Sequence, residues 1–217
     1  MEMNKYQNYF EENGYVIVPN VLDESSLYLA YNYTKIKVEA IDIKLLERPD
    51  IYDTNWDGNW GDIQSPNTYS CYGDPFMDTL LFLLNGRMNE FTGLDLIPTY
   101  SYWRFYEKGD VLEKHTDRES CEISTTIPLG YDYSNLDDKD YNWSIYVENN
   151  KGEEIEAPLR PGDLLIYKGC ELNHWRNKFE GLNQAQVFLH YNNKNGPFNH
   201  LYDNRPKLGI PKNGWRK

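Results

Sequence analysis

The stretch TYSYWRFYEKGDVLEKHTDR, Thr99–Arg118, decides the fold and has the triplet His115-Thr116-Asp117 near its end. In an extended strand, residues i and i+2 point to the same side. The imidazole of His115 and the carboxylate of Asp117 can therefore reach one metal ion from a single short segment. Charged residues flank the triplet, which is also typical of a solvent-exposed strand end. We favour metal binding because a further histidine follows in a suitable setting.

A third metal ligand is expected from His174, which follows a Pro-Gly-Asp turn at 161–163 and the short apolar strand Leu164–Tyr167. Two histidines and one carboxylate on one face of an octahedron leave three coordination positions open, which is the site type of non-haem Fe(II) oxygenases. The chain contains 4 His in total. The alternatives to His174 are His190, in the middle of an apolar strand pattern, and His200, in the irregular tail.

Four features occur together in this region. Tyr106 and Gly109 lie upstream of the first histidine, and the acid Asp117 follows it. The Gly-Asp turn of Arg160–Asp163 precedes an apolar strand, and the second histidine, His174, lies beyond that strand. Together they resemble the 2-oxoglutarate/Fe(II)-dependent oxygenases, and among them the prolyl-4-hydroxylase-like group. The resemblance covers Tyr100–Tyr191 and implies a double-stranded β-helix core of the jelly-roll or cupin-like kind.

The resemblance implies two cofactors, Fe(II) and the co-substrate 2-oxoglutarate. Fe(II) would be bound by His115, Asp117 and His174, since the family has its distal histidine one strand after a Gly-Asp turn and only His174 satisfies this. A hydrogen-bond partner should orient each histidine through its other ring nitrogen. Glu171 and Asn173 are the neighbouring candidates for this role.

The family also binds the C5 carboxylate of 2-oxoglutarate with an arginine or lysine near the start of the last core strand. Here that window, Gly181–Gln186, contains neither residue. We rank Arg176 first as a substitute, Arg104 second and Lys168 third, because an arginine can clamp a carboxylate with two parallel hydrogen bonds. The simpler interpretation of Arg176 is a surface ion pair with Glu180.

Tyr106 matches a family tyrosine upstream of the first ligand, and its hydroxyl could donate a hydrogen bond to the co-substrate. The simpler interpretation is a buried core tyrosine.

Arg118 either faces the substrate opening or points to solvent, the simpler view. Cys121 and Cys170 flank the site in sequence but lack metal-site spacing, so we expect small core residues.

Composition limits the classes of partner. A net charge of -12 disfavours a protein whose main partner is nucleic acid, which needs a basic face. The 3 Cys are widely spaced and odd in number, which favours a reducing compartment. No membrane span and no secretory leader are evident, so we expect a cytoplasmic protein with a small-molecule or peptidyl substrate.

We expect one domain of the α+β class in 217 residues. Its parts are a helical N-terminal support with a loop (1–98), a β core (99–191) and a surface tail (192–217). The predicted helices cover 4–13, about 24–37 and 75–92, the last with Phe76, Leu80, Leu83 and Leu84 on its buried face. The predicted strands are 15–18, 100–106, 123–129, 143–148, 153–157, 164–167 and 184–191.

A long ordered loop is expected at 48–75. Its aromatic residues either line a substrate opening or cover the edge of the β core, and we favour the second: Trp56, Trp60, Tyr69 and Tyr72.

The resemblance implies a dioxygenase that hydroxylates an amino-acid side chain or a small metabolite. A cupin-like metal-binding protein or enzyme that does not use 2-oxoglutarate is the alternative, supported by the missing cation in the window after His174. A non-catalytic binding module is a third hypothesis, which the intact set of three ligand residues opposes.

Overall fold

The computed structural model describes residues 5–200 and 203–211. The predicted tail falls outside the described residues at 201–202 and 212–217. Helices in the described part are α1 Lys5–Asn13, α2 Glu24–Glu47, α3 Thr54–Asp57 and α4 Pro75–Thr92. The strands are β1 Tyr15–Val18, β2 Asn59–Trp60, β3 Tyr69–Tyr72, β4 Leu96–Glu107, β5 Leu112–His115, β6 Ile123–Asp132, β7 Ile145–Glu148, β8 Glu154–Ala157, β9 Leu164–Tyr167, β10 His174–Arg176 and β11 Asn183–Asn193.

The strands form two antiparallel sheets. One has seven strands in the order β1-β9-β6-β11-β4-β3-β2, and the other has four in the order β5-β10-β7-β8. Apolar side chains of both sheets meet between them, as Leu165 and Tyr167 do with Ile145 and Val147. This mixed α/β architecture is consistent with the jelly-roll-like fold expected from the sequence.

Two helices support the seven-stranded sheet, α2 against β6 and α4 against β4 and β11. Each begins at an aspartate whose carboxylate accepts a hydrogen bond from a backbone amide in the first turn, Asp23 for α2 and Asp74 for α4. The buried face of α4 includes the apolar residues Met77, Leu81, Leu84 and Met88. The prediction of a buried Leu83 is wrong, because this side chain is 64% exposed.

The second helix is longer than predicted and ends at Glu47 rather than near Lys37. The predicted loop at 48–75 contains the strands β2 and β3, and β3 pairs with β4. Trp60 and Tyr69 lie against the main core, while Trp56 remains 44% exposed. Part of the predicted loop is therefore an extension of the sheet, while 61–68 remains irregular. None of the described helices has the length and apolar character to cross a membrane.

Candidate metal centre and its cavity

The two sequence-predicted histidines face each other across a strand pair. His115 ends β5, His174 begins β10, and the two are directly opposed in the antiparallel register. Their ring centroids are 4.2 Å apart. Asp117 lies two residues beyond β5, where its backbone amide donates to the carbonyl of Gly169 at 2.8 Å. The register of the strand pair and this loop contact bring the three side chains together.

The three side chains offer their metal-binding atoms at one point. One donor atom from each of His115, Asp117 and His174 lies within 4.8 Å of the others. The Oδ1 atom of Asp117 is 3.6 Å from the Nε2 atom of each histidine. A metal with ligand distances of about 2.1 Å needs neighbouring donors about 3 Å apart. The donor set therefore fits a single metal ion after small side-chain movements.

Backbone carbonyls orient both imidazoles. His115 Nδ1 lies 2.6 Å from the carbonyl oxygen of Glu113, and His174 Nδ1 lies 3.1 Å from that of Leu172. A carbonyl only accepts, so Nδ1 carries the proton and Nε2 keeps its lone pair for a metal. The predicted orienting residues are wrong, because Asn173 donates to the Glu148 carboxylate and Glu171 contacts Lys168.

The electrostatics of the site favour a cation. Burial alone would raise the pKa of Asp117, but the imidazoles of His174 and His115 and the hydroxyl of Ser124 hold it well below its usual range. Burial lowers the pKa of His174, which keeps its imidazole neutral at neutral pH. An ionised carboxylate and a neutral imidazole are the protonation states that bind a divalent metal.

A second group of possible ligands shares Asp117 with the first. Donor atoms of Asp117, Cys121 and His190 also lie within 4.8 Å of one another. Burial raises the pKa of the Cys121 thiol well above its usual range, so this sulfur stays protonated and is a poor ligand. His200, the other alternative, is exposed and lies outside both groups. The set containing His174 is chemically the better metal site.

The candidate ligands lie on the wall of a cavity of about 580 Å³, a volume in the usual range for small-molecule sites. Its lining is largely aromatic and includes Tyr72, Tyr100, Tyr102, Tyr167 and Phe188. The segment Asp62–Gln64 lies at its rim, where Ile63 is 95% exposed. The predicted loop thus contributes to the cavity through this segment and Tyr72.

Comparisons with known proteins give a consistent result at the level of fold. No family model matches the sequence, and no curated protein matches it significantly. Solved structures with a similar fold include a prolyl-4-hydroxylase from Pseudomonas putida, with a TM-score of 0.59, 13% identity, and coverage of 85% of this chain and 96% of that one. An oxidoreductase of the 2OG-Fe(II) oxygenase family from Burkholderia pseudomallei has a TM-score of 0.59 at 15% identity, with coverage of 90% of this chain and 96% of that one.

HygX from Streptomyces hygroscopicus, with nickel, 2-oxoglutarate and hygromycin B bound, has a TM-score of 0.61 at 13% identity, covering 89% of this chain and 88% of that one. This chain has the fold of the 2-oxoglutarate/Fe(II) oxygenases. The resemblance drawn from the sequence motifs is thereby confirmed for the fold.

The predicted co-substrate residues occupy different surroundings. Arg104 lines the cavity, and its Nη2 donates to Asp62 at 2.6 Å and to Gln64 at 2.9 Å. The hydroxyl of Tyr106, fully buried, accepts from Arg104 Nη1 at 3.4 Å. Lys168 lies outside the cavity lining and contacts Glu171.

Arg176 is the unusual cation of this set. It is only 2% exposed, stands over the ring of Trp143 and donates from Nη1 to the Trp143 carbonyl. Its Nε and Nη2 atoms have no hydrogen-bond partner within the described part of the chain, and burial lowers its pKa to about 10. Arg176 is therefore buried rather than at the surface, and the described residues show no ion pair between it and Glu180. An anion would satisfy the unpartnered donors of a buried guanidinium in this state.

Sequence reasoning missed two residues around Asp117, Ser124 and Gly169. The Ser124 hydroxyl donates to Asp117 Oδ2 at 2.7 Å and also contacts His190 Nδ1 at 2.9 Å. Gly169 lies so close that a Cβ atom there would be 2.4 Å from Ser124 Oγ and 2.7 Å from Asp117 Oδ2. Arg118 was predicted to face either the opening or solvent. Its side chain lines the cavity, is 49% exposed, and pairs with Asp203 at 2.8 Å.

Replacing Gly169 with alanine is expected to weaken metal binding about 10- to 100-fold without removing a ligand. The added methyl group would displace Asp117 and Ser124, which hold the carboxylate in position. The measurement is calorimetric titration of the variant with Fe(II) or Mn(II) in the absence of oxygen. Gly86→Ala is the matched control, since nothing lies within 4 Å of its Cβ position. Equal metal affinity in both variants would contradict the expectation.

Proposed function

We propose that this chain is a 2-oxoglutarate- and Fe(II)-dependent dioxygenase that hydroxylates an amino-acid side chain or a small metabolite. The observation that carries the proposal is the convergence of His115, Asp117 and His174 at the wall of an aromatic cavity. The strand order supports a double-stranded β-helix, with β9-β6-β11-β4 opposite β5-β10-β7-β8.

His115, Asp117 and His174 would hold the iron. Bound there with 2-oxoglutarate, Fe(II) would supply the oxidising chemistry that inserts an oxygen atom into a C–H bond. The chain itself fixes the ligand geometry through the carbonyls of Glu113 and Leu172. With a substrate in place, its aromatic walls would keep water from the reacting atoms, which would strengthen the electrostatic interactions inside.

Arg176 is the residue we propose for the C5 carboxylate of 2-oxoglutarate. It lies two residues beyond His174, and both side chains are buried while Trp175 between them is partly exposed. Two residues of a strand span about 6.6 Å, comparable with the length of a five-carbon dicarboxylate. Tyr106 and Tyr167 lie close enough to act on the charge of Arg176, and Tyr167 lines the cavity. The unpaired guanidinium would gain the anion that it lacks.

Arg104 is the second candidate, because it lines the cavity directly. Asp62 already neutralises its charge, so a co-substrate carboxylate would have to displace that partner. An anion gains more from an unpaired buried cation than from a paired one. We therefore keep Arg176 ahead of Arg104.

Direct assays test the proposal and its alternative together. The protein should bind Fe(II) or Mn(II), then bind 2-oxoglutarate only with the metal present, and release succinate when oxygen is supplied. The cupin-like alternative is favoured by the neutral side chains Gln184 and Gln186 in the window after His174. It predicts metal binding with no affinity for 2-oxoglutarate, and that result would exclude the dioxygenase.

Replacing Arg176 with methionine is expected to reduce the affinity for 2-oxoglutarate roughly 10- to 100-fold, since a charge-assisted hydrogen bond contributes about 1.5–3 kcal/mol. The same change should raise the melting temperature, because it removes buried donors without partners. The measurements are calorimetric titration with 2-oxoglutarate and thermal unfolding.

Lys168→Met is the matched control, as it removes a partly exposed cation that already pairs with Glu171, and it should leave both quantities nearly unchanged. Arg104→Met is the competing variant. If it abolished 2-oxoglutarate binding while Arg176→Met left the affinity intact, Arg104 would take the role proposed for Arg176.

A further inference from the structure

His190 faces the cavity but has no part in the proposed metal site. It lies in β11, is 5% exposed, and its ring is 4.5 Å from that of Tyr100, centroid to centroid. It is also among the residues that line the cavity. A buried imidazole in this position either supports the wall or contacts whatever fills the cavity.

The hydrogen bonds around Ser124 fix which nitrogen of His190 carries the proton. The ionised Asp117 carboxylate only accepts, so the Ser124 hydroxyl donates its one proton to Oδ2, 2.7 Å away. The same oxygen must then accept from His190 Nδ1–H at 2.9 Å. In the neutral imidazole the other nitrogen, Nε2, is consequently an acceptor. It forms no hydrogen bond with the described residues and is available to a ligand in the cavity.

The remaining walls of the cavity are apolar or neutralised. Tyr72 and Tyr100 stack with their ring centroids 4.8 Å apart, and His190 continues the same aromatic surface. Away from the metal ligands, the charged groups in the described lining have opposite partners: Arg104 with Asp62, and Arg118 with Asp203. A charged ligand would have to break one of these pairs, whereas an uncharged ring can stack without that cost.

We propose that His190 is a specificity-determining residue, whose Nε2 accepts a hydrogen bond from a hydroxyl or N–H group of an uncharged, ring-containing small molecule. The inference rests on the proposed function only in treating the cavity as the substrate site. It extends that function by choosing a small neutral ring compound over a peptidyl or cationic substrate.

Simple ring compounds test the ligand class without a known substrate. Phenol carries a ring and a donor, anisole has the same ring without the donor, and benzoate and benzylamine carry charges. Saturation-transfer NMR titrations of the full chain should give the tightest binding for phenol, with anisole about two- to tenfold weaker, as expected for one lost hydrogen bond. Benzoate or benzylamine binding more tightly than phenol would overturn the proposal, as would the absence of phenol binding.

Two substitutions separate a ligand contact from a supporting role. His190→Asn keeps an N–H near the Nδ1 position for Ser124 but has no acceptor at the Nε2 position. His190→Gln can present an acceptor at the Nε2 position but loses the donor to Ser124. The proposal expects the preference for phenol over anisole to vanish in His190→Asn and to persist in His190→Gln. The opposite pattern would assign His190 to supporting Ser124 and Asp117.

A metal titration of both variants keeps this test independent of the proposed function. His190→Asn should bind Mn(II) like the unchanged protein, since the Ser124 contact is retained. Failure of the unchanged protein to bind Mn(II) and 2-oxoglutarate would refute the dioxygenase, while the phenol preference would still report on His190. If both variants kept the preference for phenol over anisole, the role of His190 would be refuted and the metal centre would be unaffected.

Discussion

Replacing His174 with alanine is expected to lower the affinity for Fe(II) about 100-fold or more and to abolish turnover. The substitution removes one of three donors, and changes outside the ligand set already cost 10- to 100-fold in metal affinity. His115 and Asp117 would remain as a pair, 3.6 Å apart at Nε2 and Oδ1. Two donors cannot complete one face of an octahedral site. Anaerobic calorimetric titration with Fe(II), or with Mn(II) as a stable substitute, measures the loss.

Two further variants exclude a trivial explanation. His174 is 2% exposed and contacts the ring of Tyr167, so its loss could unsettle the fold. His115→Ala removes a less buried ligand and should give a similar loss of affinity with normal thermal unfolding. His200→Ala removes an exposed histidine outside the ligand groups and should change nothing. An equal loss in all three variants, or in none, would contradict the metal centre.

The site residues that could be predicted from the sequence are those whose placement follows from local geometry. The spacing of His115 and Asp117 pointed to a shared site, although only His115 lies within β5 and the contact with Gly169 positions Asp117. The turn at 161–163 leads into β9 as the motif suggested. His174 needed one more step, its antiparallel pairing with His115, and the family resemblance supplied it. The predicted helix starts at 24 and 75 were equally readable, because the aspartate before each makes a local N-cap hydrogen bond.

What escaped prediction depends on contacts between distant segments. Ser124 and His190 are 66 residues apart and meet only because β6 and β11 pair in the register that aligns them. The orienting partners of the ligands were sought among side chains, but the backbone carbonyl two residues back is nearer. Polar composition at 48–75 concealed β3, which is a strand because the edge of β4 was available to pair.

A buried carboxylate on α4 anchors the described C-terminal residues 203–211 to the core. Asp78 on α4 accepts hydrogen bonds from the backbone amide and hydroxyl of Ser101 and from the backbone amide of Gly209. Arg205 forms an ion pair with the same carboxylate, and both side chains are only 2% exposed. Arg205 also stands over Tyr72, 5.5 Å from the ring centroid, on the aromatic wall of the cavity. One residue therefore links the tail, the helix and the cavity wall.

Replacing Asp78 with alanine is expected to reduce the free energy of unfolding by about 3–5 kcal/mol, because it leaves the Arg205 guanidinium buried and unpaired. For a chain of this size the melting temperature should fall by roughly 10 °C, which differential scanning calorimetry measures. Asp95→Ala is the matched control: its ion pair with Lys194 is more than half exposed and should contribute less than about 1 kcal/mol.

Removing Arg205 together with Asp78 should recover part of the lost stability. Removing one partner of a buried ion pair leaves an uncompensated charge, which destabilises the protein more than removing both partners. This recovery separates the electrostatic account from a simple packing defect, which the second substitution would only enlarge. A double variant less stable than Asp78→Ala, or a single variant no less stable than Asp95→Ala, would show that the tail is not held by this ion pair. Weaker phenol binding in Asp78→Ala would further tie the attached tail to the shape of the cavity, since Arg205 contacts Tyr72.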